Sequence, residues 1–308
     1  MQNLPHISIV SPVYRAEDIV HELVKQIQDA MRLLDKSYEI ILVDDRSPDN
    51  SWEVMKDLAE KHKELKCLRL SRNFGQHPAI MAGLSQVKGE WVIVMDCDLQ
   101  DQPKEIINLY HKAKEGYEVV LAKRSVRKDS SLKKISSKIF SWIYAYLTDS
   151  EYDNEVANYG IYNIKVIEAV LTIGDRIKFF PLFVKFVGFK TTSIEVEHAE
   201  RFAGSTSYNL SKLLSLAFNT IISFSNKPLK LFVKFGIFIS ILSFIIGIYY
   251  FYLAIGNRVE VSGFSSIIIS IWFLSGIIIT TIGVIGIYIG KIFEQGKARP
   301  TYIIDEML

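Results

Sequence analysis

The sequence has little of what marks secreted, metal-clustered or nucleic-acid-binding proteins. Its 308 residues include only two cysteines, Cys67 and Cys97, which are far apart and lack metal-ligand spacing. Neither a disulfide framework nor a cysteine metal site is therefore expected, and the pattern fits a reducing compartment. The formal net charge is only +2, so no global field favours a nucleic-acid partner. The first residues lack a basic segment and a long apolar run, which argues against a signal peptide.

Short apolar runs alternate with helical patterns in the first part of the chain. The runs are Ile7–Val13, Tyr38–Val43, Leu65–Leu70, Trp91–Met95 and Glu118–Leu121, and the helical patterns between them are 19–34, 52–62, 79–85 and 105–114. This alternation predicts an α/β domain with a parallel sheet covered on both faces, which binds ligands beyond the carboxyl ends of its strands. No Gly-x-Gly-x-x-Gly follows the first run, which argues against a dinucleotide-dependent oxidoreductase.

Polar residues stand at the ends of the predicted strands, where such a sheet binds its ligands. Asp44 and Asp45 follow the second run, and their carboxylates suit hydrogen bonds from the base and ribose of a nucleotide. Asp96 and Asp98 follow the fourth run, and with the Gln100 amide oxygen they offer hard oxygen ligands to Mg²⁺ or Mn²⁺. The sequence therefore predicts a nucleotide and metal site, although Asp-x-Asp pairs also occur in ordinary turns and helix caps.

The apolar residues concentrate in the last third of the chain. Segment 231–253 carries one charge, Lys234, segment 264–289 carries none, and each exceeds the roughly 20 residues that cross a bilayer core. Basic residues outside both segments, and few charges between them, place both chain ends in the cytosol. The predicted organisation is a cytosolic domain over 1–207, an interfacial amphipathic helix over 208–229, two transmembrane helices within 230–290 and a cytosolic tail over 291–308. The amphipathic helix fits packing on its own domain equally well.

Four motifs together resemble family 2 glycosyltransferases. They are Ile9-Val10-Ser11-Pro12-Val13-Tyr14, Val43-Asp44-Asp45-x-Ser47-x-Asp49, Arg72-Asn73-Phe74-Gly75 and Met95-Asp96-Cys97-Asp98-Leu99-Gln100-Asp101. The chain is most similar to the polyprenyl-phosphate sugar transferases, a group that contains dolichyl-phosphate mannose synthase and undecaprenyl-phosphate glucosyltransferases. The resemblance covers essentially the whole chain, because Arg201-x-x-Gly204-Ser205-x-x-Tyr208 and the two apolar segments also match.

The resemblance implies a GT-A (Rossmann-like) domain with C-terminal transmembrane helices and an inverting, metal-dependent transfer. The sugar would pass from a nucleotide-sugar donor, UDP-linked rather than GDP-linked, to a polyprenyl phosphate at the cytosolic face of the cell membrane, for cell-envelope glycan synthesis. The metal ligands would be Asp96, Asp98 and Gln100. The residues around the nucleotide would be Pro12, Val13, Tyr14, Asp44, Asp45 and Asp96, and the catalytic residues would be Asp98, Asp101, Arg124 and Arg201, with the two arginines on the acceptor phosphate.

Other functions remain open at this point. A lipid-linked saccharide or another hydroxyl acceptor would require a general base, for which Asp101 and Glu197 are the candidates. A processive polysaccharide synthase fits worse, since no Gln-x-x-Arg-Trp occurs, and a non-catalytic membrane adaptor would have damaged motifs. Asn158 and Gly160 stand where many relatives have an acid and an arginine, which leaves the sugar open. A homo-oligomer is also left open.

Overall fold

The computed structural model describes residues 4–124, 156–174, 180–196, 227–255 and 263–308. These residues divide into two compact units. The first unit contains the described residues up to 196 together with 299–308, and the second contains 227–255 and 263–298.

The first unit follows the strand and helix alternation that the sequence predicts. Its elements in chain order are β1 (Ile7–Val13), α1 (Val20–Leu34), β2 (Tyr38–Asp44), α2 (Ser51–Lys61), β3 (Leu65–Leu70), α3 (Gln76–Leu84), β4 (Trp91–Val94), a short 3₁₀ helix (Pro103–Glu105), α4 (Ile106–Ala113), β5 (Val119–Arg124), β6 (Val156–Asn163), α5 (Ile164–Leu171), α6 (Phe180–Val187), β7 (Thr191–Val196) and β8 (Ile304–Met307). The bounds of β1 and β3 match the predicted runs, and the other predicted strands differ from the observed ones by a few residues at most.

The eight strands form one sheet in the order β7-β5-β6-β4-β1-β2-β3-β8. The four central strands β4, β1, β2 and β3 run parallel to one another. The prediction of a parallel sheet is wrong at β6, which lies antiparallel between β4 and β5, and at β8, which lies antiparallel on β3. Strands β5 and β7 pair in parallel. Strand order and direction depend on pairing between distant segments, which local periodicity does not report.

Close packing holds the helices against the two faces of the sheet. All seven residues of β1 are buried, as expected of a strand covered on both sides. Gly83 in α3 lies so near the sheet that an added Cβ would be 2.4 Å from Val10 Cγ1 and 3.0 Å from Val43 Cγ2. The position therefore requires glycine, and α3 is held directly against the strands that lead into the predicted site.

A buried polar cluster stabilises the amino-terminal ends of the same strands. Ser8 Oγ on β1 donates to Glu39 Oε1 on β2 at 2.6 Å, and Lys66 Nζ on β3 lies 2.5 Å from Glu39 Oε2. The backbone N–H groups of Lys88 and Gly89 also donate into this cluster. Glu39 is thereby satisfied in the interior, and the cluster fixes the alignment of β1, β2 and β3 at the edge opposite the site.

The second unit contains two long helices, α7 (Lys227–Ile255) and α8 (Phe264–Gly296). Both are long and apolar enough to cross a membrane, over windows 229–246 and 270–296 with mean hydropathy of 2.2 and 2.1, and neither window is buried within the protein. They contain the two predicted transmembrane segments. Most of the predicted amphipathic helix, residues 208–226, lies outside the described residues. The sequence analysis assigned 291–308 as a tail and missed β8 within it.

Candidate active site

The loops after β1 and β2 are tied to each other by short polar contacts. The backbone N–H of Asp45 donates to the Val13 carbonyl at 3.0 Å. The N–H groups of Arg15 and Ala16 donate to Ser47 Oγ and Ser51 Oγ, at 3.2 and 2.9 Å. These bonds place the predicted nucleotide residues of the first loop beside Asp44 and Asp45. Pro12 and Val13 are buried, and Tyr14 beside them is exposed.

Asp44 is a buried carboxylate that is held inside the second loop. None of its side chain is exposed to solvent, and its Oδ1 accepts the N–H of Ser47 at 2.9 Å. Its Oδ2 lies 3.3 Å from Nε of Arg69 on the neighbouring strand β3. Among the described residues neither of these two atoms has a hydrogen bond, so Arg69 compensates the charge of Asp44 without aligned hydrogen-bond geometry.

Asp45 connects the second loop, residues 45–50 after β2, to the third loop, residues 71–75 after β3. Its two oxygens accept the backbone N–H groups of Phe74 and Gly75, at 2.7 and 2.8 Å. Gly75 has a φ of 99°, a left-handed conformation that glycine adopts without the steric cost of a side chain. Burial raises the pKa of Asp45, and the two backbone N–H groups oppose that shift. Asp45 therefore organises the third loop in addition to lying at the predicted nucleotide site.

The third loop in turn contacts the predicted metal residues after β4. Gln76 is the first residue of α3, and its Nε2 donates to Asp96 Oδ1 at 2.6 Å. Asp98 Oδ1 accepts the backbone N–H of Gln100 at 3.1 Å across a turn in which Leu99 has a φ of 58°. The acidic pair is thus built on a tight left-handed turn, and Gln76 fixes one of its carboxylates.

Three residues other than glycine adopt left-handed backbone conformations in these loops. Arg15 has a φ of 55°, Arg46 a φ of 55° and Leu99 a φ of 58°. They follow β1, β2 and β4, three adjacent strands of the sheet. Such conformations cost on the order of 1–3 kcal/mol each and concentrate at functional sites. The strained residues therefore lie at the same sheet edge as Asp44, Asp45, Asp96 and Asp98.

The donor set of this edge fits a divalent cation that also binds a phosphate ligand. Among the described residues no group of three His, Cys, Asp or Glu side chains forms a complete metal site. Asp96 and Asp98 supply two partly exposed carboxylates on one turn. Mg²⁺ and Mn²⁺ are commonly held by one or two carboxylates together with substrate phosphates and water. Two protein carboxylates therefore suffice for such an ion.

The remaining predicted residues are placed as follows. Asp101 is buried, with 1% of the residue exposed, and it contributes to raising the pKa of the buried Tyr159, for which burial is the main cause. Arg124 is the last residue of β5, paired in register with Val196, and its side chain lies outside the described part of the structure. Arg201 and Glu197 also lie outside the described residues. Their assignments stay predictions.

The departure at Gly160 has a structural basis. A Cβ at this position of β6 would lie 2.9 Å from the Val120 carbonyl oxygen and 2.9 Å from Tyr162 Oη. The Tyr162 side chain, which is buried, fills the space beside the glycine. An arginine could not be accommodated here without displacing Tyr162.

Arg69 and Gln76 were not predicted from the sequence as residues of the site. Arg69 carried a usable signal, because it is a charged residue between Leu68 and Leu70 in an apolar run. Gln76 carried none, since its role follows only from its contact with Asp96.

The sequence is similar to those of known glycosyltransferases over most of its length. The model of the family described as Glycosyl transferase family 2 matches residues 8–167. An uncharacterised glycosyltransferase, YkcC of Bacillus subtilis (strain 168), is 36% identical over 97% of this chain and 93% of its own length. The undecaprenyl-phosphate 4-deoxy-4-formamido-L-arabinose transferase of Yersinia pestis (strain Pestoides F) is 34% identical over 98% of this chain and 93% of its own length.

The fold is shared with a solved glycosyltransferase of low sequence identity. Glucosyl-3-phosphoglycerate synthase from Mycobacterium tuberculosis, in complex with Mn²⁺, UDP-glucose and phosphoglyceric acid, aligns with a TM-score of 0.51 at 15% identity. The alignment covers 71% of this chain and 78% of that chain. The likeness identifies the mixed sheet as a GT-A-like fold.

Proposed function

Because this chain belongs to glycosyltransferase family 2, we propose that it transfers a sugar from a nucleotide-sugar donor to a polyprenyl phosphate at the cytosolic face of a membrane. The observation that carries the proposal is the match to the Yersinia undecaprenyl-phosphate transferase over 98% of the chain. That match extends beyond the family model, which ends at residue 167, and includes the two long apolar helices. The basic residues that flank these helices support a cytosolic catalytic domain.

The donor is bound, on this proposal, at the edge formed by the loops after β1, β2 and β4. Pro12, Val13 and Tyr14 would border the nucleotide, and Asp45 would accept hydrogen bonds from it. The fully buried Asp44 would stabilise the turn rather than contact the nucleotide. Each oxygen of Asp45 keeps a second lone pair after accepting a backbone N–H. A UDP-sugar is the expected donor, with inversion at the anomeric carbon.

Asp96 and Asp98, with Gln100, would hold Mg²⁺ or Mn²⁺. The bound ion would neutralise the diphosphate that leaves the sugar. The Mycobacterium enzyme contains Mn²⁺ in its complex, which supports a divalent ion for this fold. Gln76 keeps Asp96 in place through its 2.6 Å hydrogen bond, so this metal ligand is oriented before the donor binds.

A phosphate acceptor agrees better with the described residues than a hydroxyl acceptor does. A phosphate monoester has a second pKa near ~6 and is largely a dianion at neutral pH, so it needs no general base. A hydroxyl acceptor needs one, and Asp101, one of the two candidates, is only 1% exposed. Arg124 and Arg201 are the proposed ligands of the acceptor phosphate.

A transfer assay with the purified full-length protein tests the proposal. The protein in detergent is incubated with Mg²⁺ or Mn²⁺, undecaprenyl phosphate and a panel of labelled UDP- and GDP-sugars. We expect label to move into the lipid phase with one donor, and to be lost without metal and in Asp98→Ala. Asp57→Ala, which removes an exposed carboxylate from α2, is the matched control and should remain active. Metal-dependent donor hydrolysis without lipid labelling would instead indicate a hydroxyl acceptor.

A further inference from the structure

The C-terminal strand β8 is hydrogen-bonded to β3, the strand that leads to the third loop. It runs antiparallel to β3, with Leu68 opposite Met307 and Arg69 opposite Glu306. Cys67 and Leu308 exchange backbone hydrogen bonds of 3.1 and 2.9 Å, and the N–H of Ser71 donates to the Ile303 carbonyl at 2.9 Å. The end of the chain thereby covers the edge of the sheet up to the first residue after β3.

Glu306 on β8 contacts Arg69, the same arginine that lies beside Asp44. Arg69 Nε lies 3.3 Å from Asp44 Oδ2, and its Nη1 lies 3.4 Å from Glu306 Oε1. The Arg69 guanidinium also lies over the Trp52 ring, with 5.5 Å between Cζ and the ring centroid. Glu306 therefore orients the guanidinium that compensates the buried carboxylate of Asp44.

Asp305 makes a second link to the same loop. Its Oδ2 lies 2.8 Å from Nη1 of Arg46, the residue directly after Asp44 and Asp45. Arg46 has a strained backbone with a φ of 55°, and its side chain has no other ion pair within the described residues. An ion pair on a strained residue helps to keep the turn in its observed conformation.

We propose that β8 is a positioning element of the donor site. This proposal rests on the proposed function, because it takes the Asp44-Asp45 turn to be where the nucleotide binds. Asp305 and Glu306 form ion pairs with Arg46 and Arg69, and these two arginines stabilise the Asp44-Asp45 turn. The turn is therefore ordered before the donor binds, and no free energy of binding is lost in ordering it. Residues 297–303 connect β8 to the end of α8, so the segment that follows the second apolar helix takes part in nucleotide binding.

A charge-reversal cycle on the detergent-purified full chain tests the proposal. The variants are Arg46→Asp, Asp305→Arg and the double variant, which restores an ion pair of opposite orientation, together with the near-isosteric Glu306→Gln. The matched control is the same cycle on Arg32 and Asp29, an exposed Arg–Asp pair on α1 with a 3.1 Å contact. The probes are UDP and GDP in the presence of Mn²⁺, and the readouts are Kd, the KM for the donor, kcat and the melting temperature.

We expect each single reversal to raise the nucleotide Kd by about threefold to tenfold, and the double variant to return it to within about twofold of wild type. Glu306→Gln should raise the Kd by about threefold, and the KM for the donor should rise while kcat stays within about twofold. The control cycle should change nothing.

Three outcomes would overturn the proposal. The first is an unchanged Kd in the folded single variants, and the second is a double variant that shows no recovery. The third is a loss of affinity that only follows the unfolded fraction, which would make β8 purely structural. If wild type binds neither nucleotide, the donor site itself is wrong and the proposed function fails with it.

Discussion

Gln76 offers the sharpest test of how the proposed metal site is built. Its side-chain amide donates to Asp96 Oδ1 at 2.6 Å. This hydrogen bond joins the start of α3, directly after the third loop, to the acidic turn. The substitution Gln76→Leu keeps a side chain of comparable bulk and removes the donor. Asp96 would then lose a fixed orientation, and binding of a divalent ion would have to order it.

The expected size of the effect follows from the geometry. A hydrogen bond to a charged group contributes about 1.5–3 kcal/mol, but Gln76 is exposed, so water replaces part of the lost bond. A remaining loss of about 1 kcal/mol raises the metal concentration for half-maximal activity by about fivefold. Outer-shell partners of metal ligands in other proteins contribute at least this much.

The assay is initial transfer rate against Mn²⁺ and Mg²⁺ concentration at saturating donor and acceptor. The control is Gln26→Leu, since Gln26 also donates to a carboxylate, Glu22 Oε1 at 2.8 Å, on the surface of α1. The control should match wild type. A half-saturation constant that stays within twofold in Gln76→Leu, while Asp98→Ala is inactive, would refute the positioning role of Gln76.

Three further predictions concern packing, charge and thiol reactivity. Gly83→Ala should lower the melting temperature by several degrees, because overpacking costs about 1–3 kcal/mol and the new Cβ would meet Val10 Cγ1 at 2.4 Å. Asp45→Asn should weaken nucleotide binding by about tenfold or more. The asparagine amide has a single, uncharged oxygen acceptor, so it can accept only one of the two backbone N–H groups that the Asp45 carboxylate accepts. Burial raises the pKa of Cys67 to about 12, so this thiol should not react with maleimide at neutral pH in the folded protein.

The packing and thiol predictions each have a control and a contradicting result. Gly174→Ala, where no atom of the described residues lies within 4 Å of the new Cβ, should leave the melting temperature unchanged, and an equal drop in both variants would refute the packing argument. Urea-unfolded protein should label at Cys67, and fast labelling of Cys67 in the folded protein would contradict the burial of this thiol.

The pH dependence of Asp45 has a definite sign. Its folded pKa lies above 3.8, so its contribution to stability is present below that value and is lost as pH rises through the folded pKa. Protonation also removes an acceptor from the third loop. Wild type should therefore lose nucleotide affinity on acidification at a pH above 3.8, and Asp45→Asn should lack this step. An identical acid limb in both proteins would contradict the assignment.

Much of the site could be predicted because its signals are local. Apolar runs followed at once by Asp44-Asp45 and Asp96-Cys97-Asp98 indicate strands that end in a ligand-binding crevice. The structure links these segments through Asp45 to Phe74 and Gly75, and through Gln76 to Asp96. Cys97 packs against the core, and burial is the main cause of its raised pKa.

Local sequence patterns predicted most of the strands and helices before residue 125, the two long apolar helices and the acidic turns. Hydrophobic periodicity depends on neighbours a few residues apart, so it predicted the strands β1 to β5, the long apolar helices and the acidic turns. The antiparallel insertion of β6 and the pairing of β8 with β3, 237 residues apart at the Arg69–Glu306 contact, are visible only in the folded chain. The tertiary structure also decided that Arg69 and Gln76 would become partners of the site's carboxylates. Such pairings depend on the positions of segments that are distant in the chain, and local patterns carry no information about them.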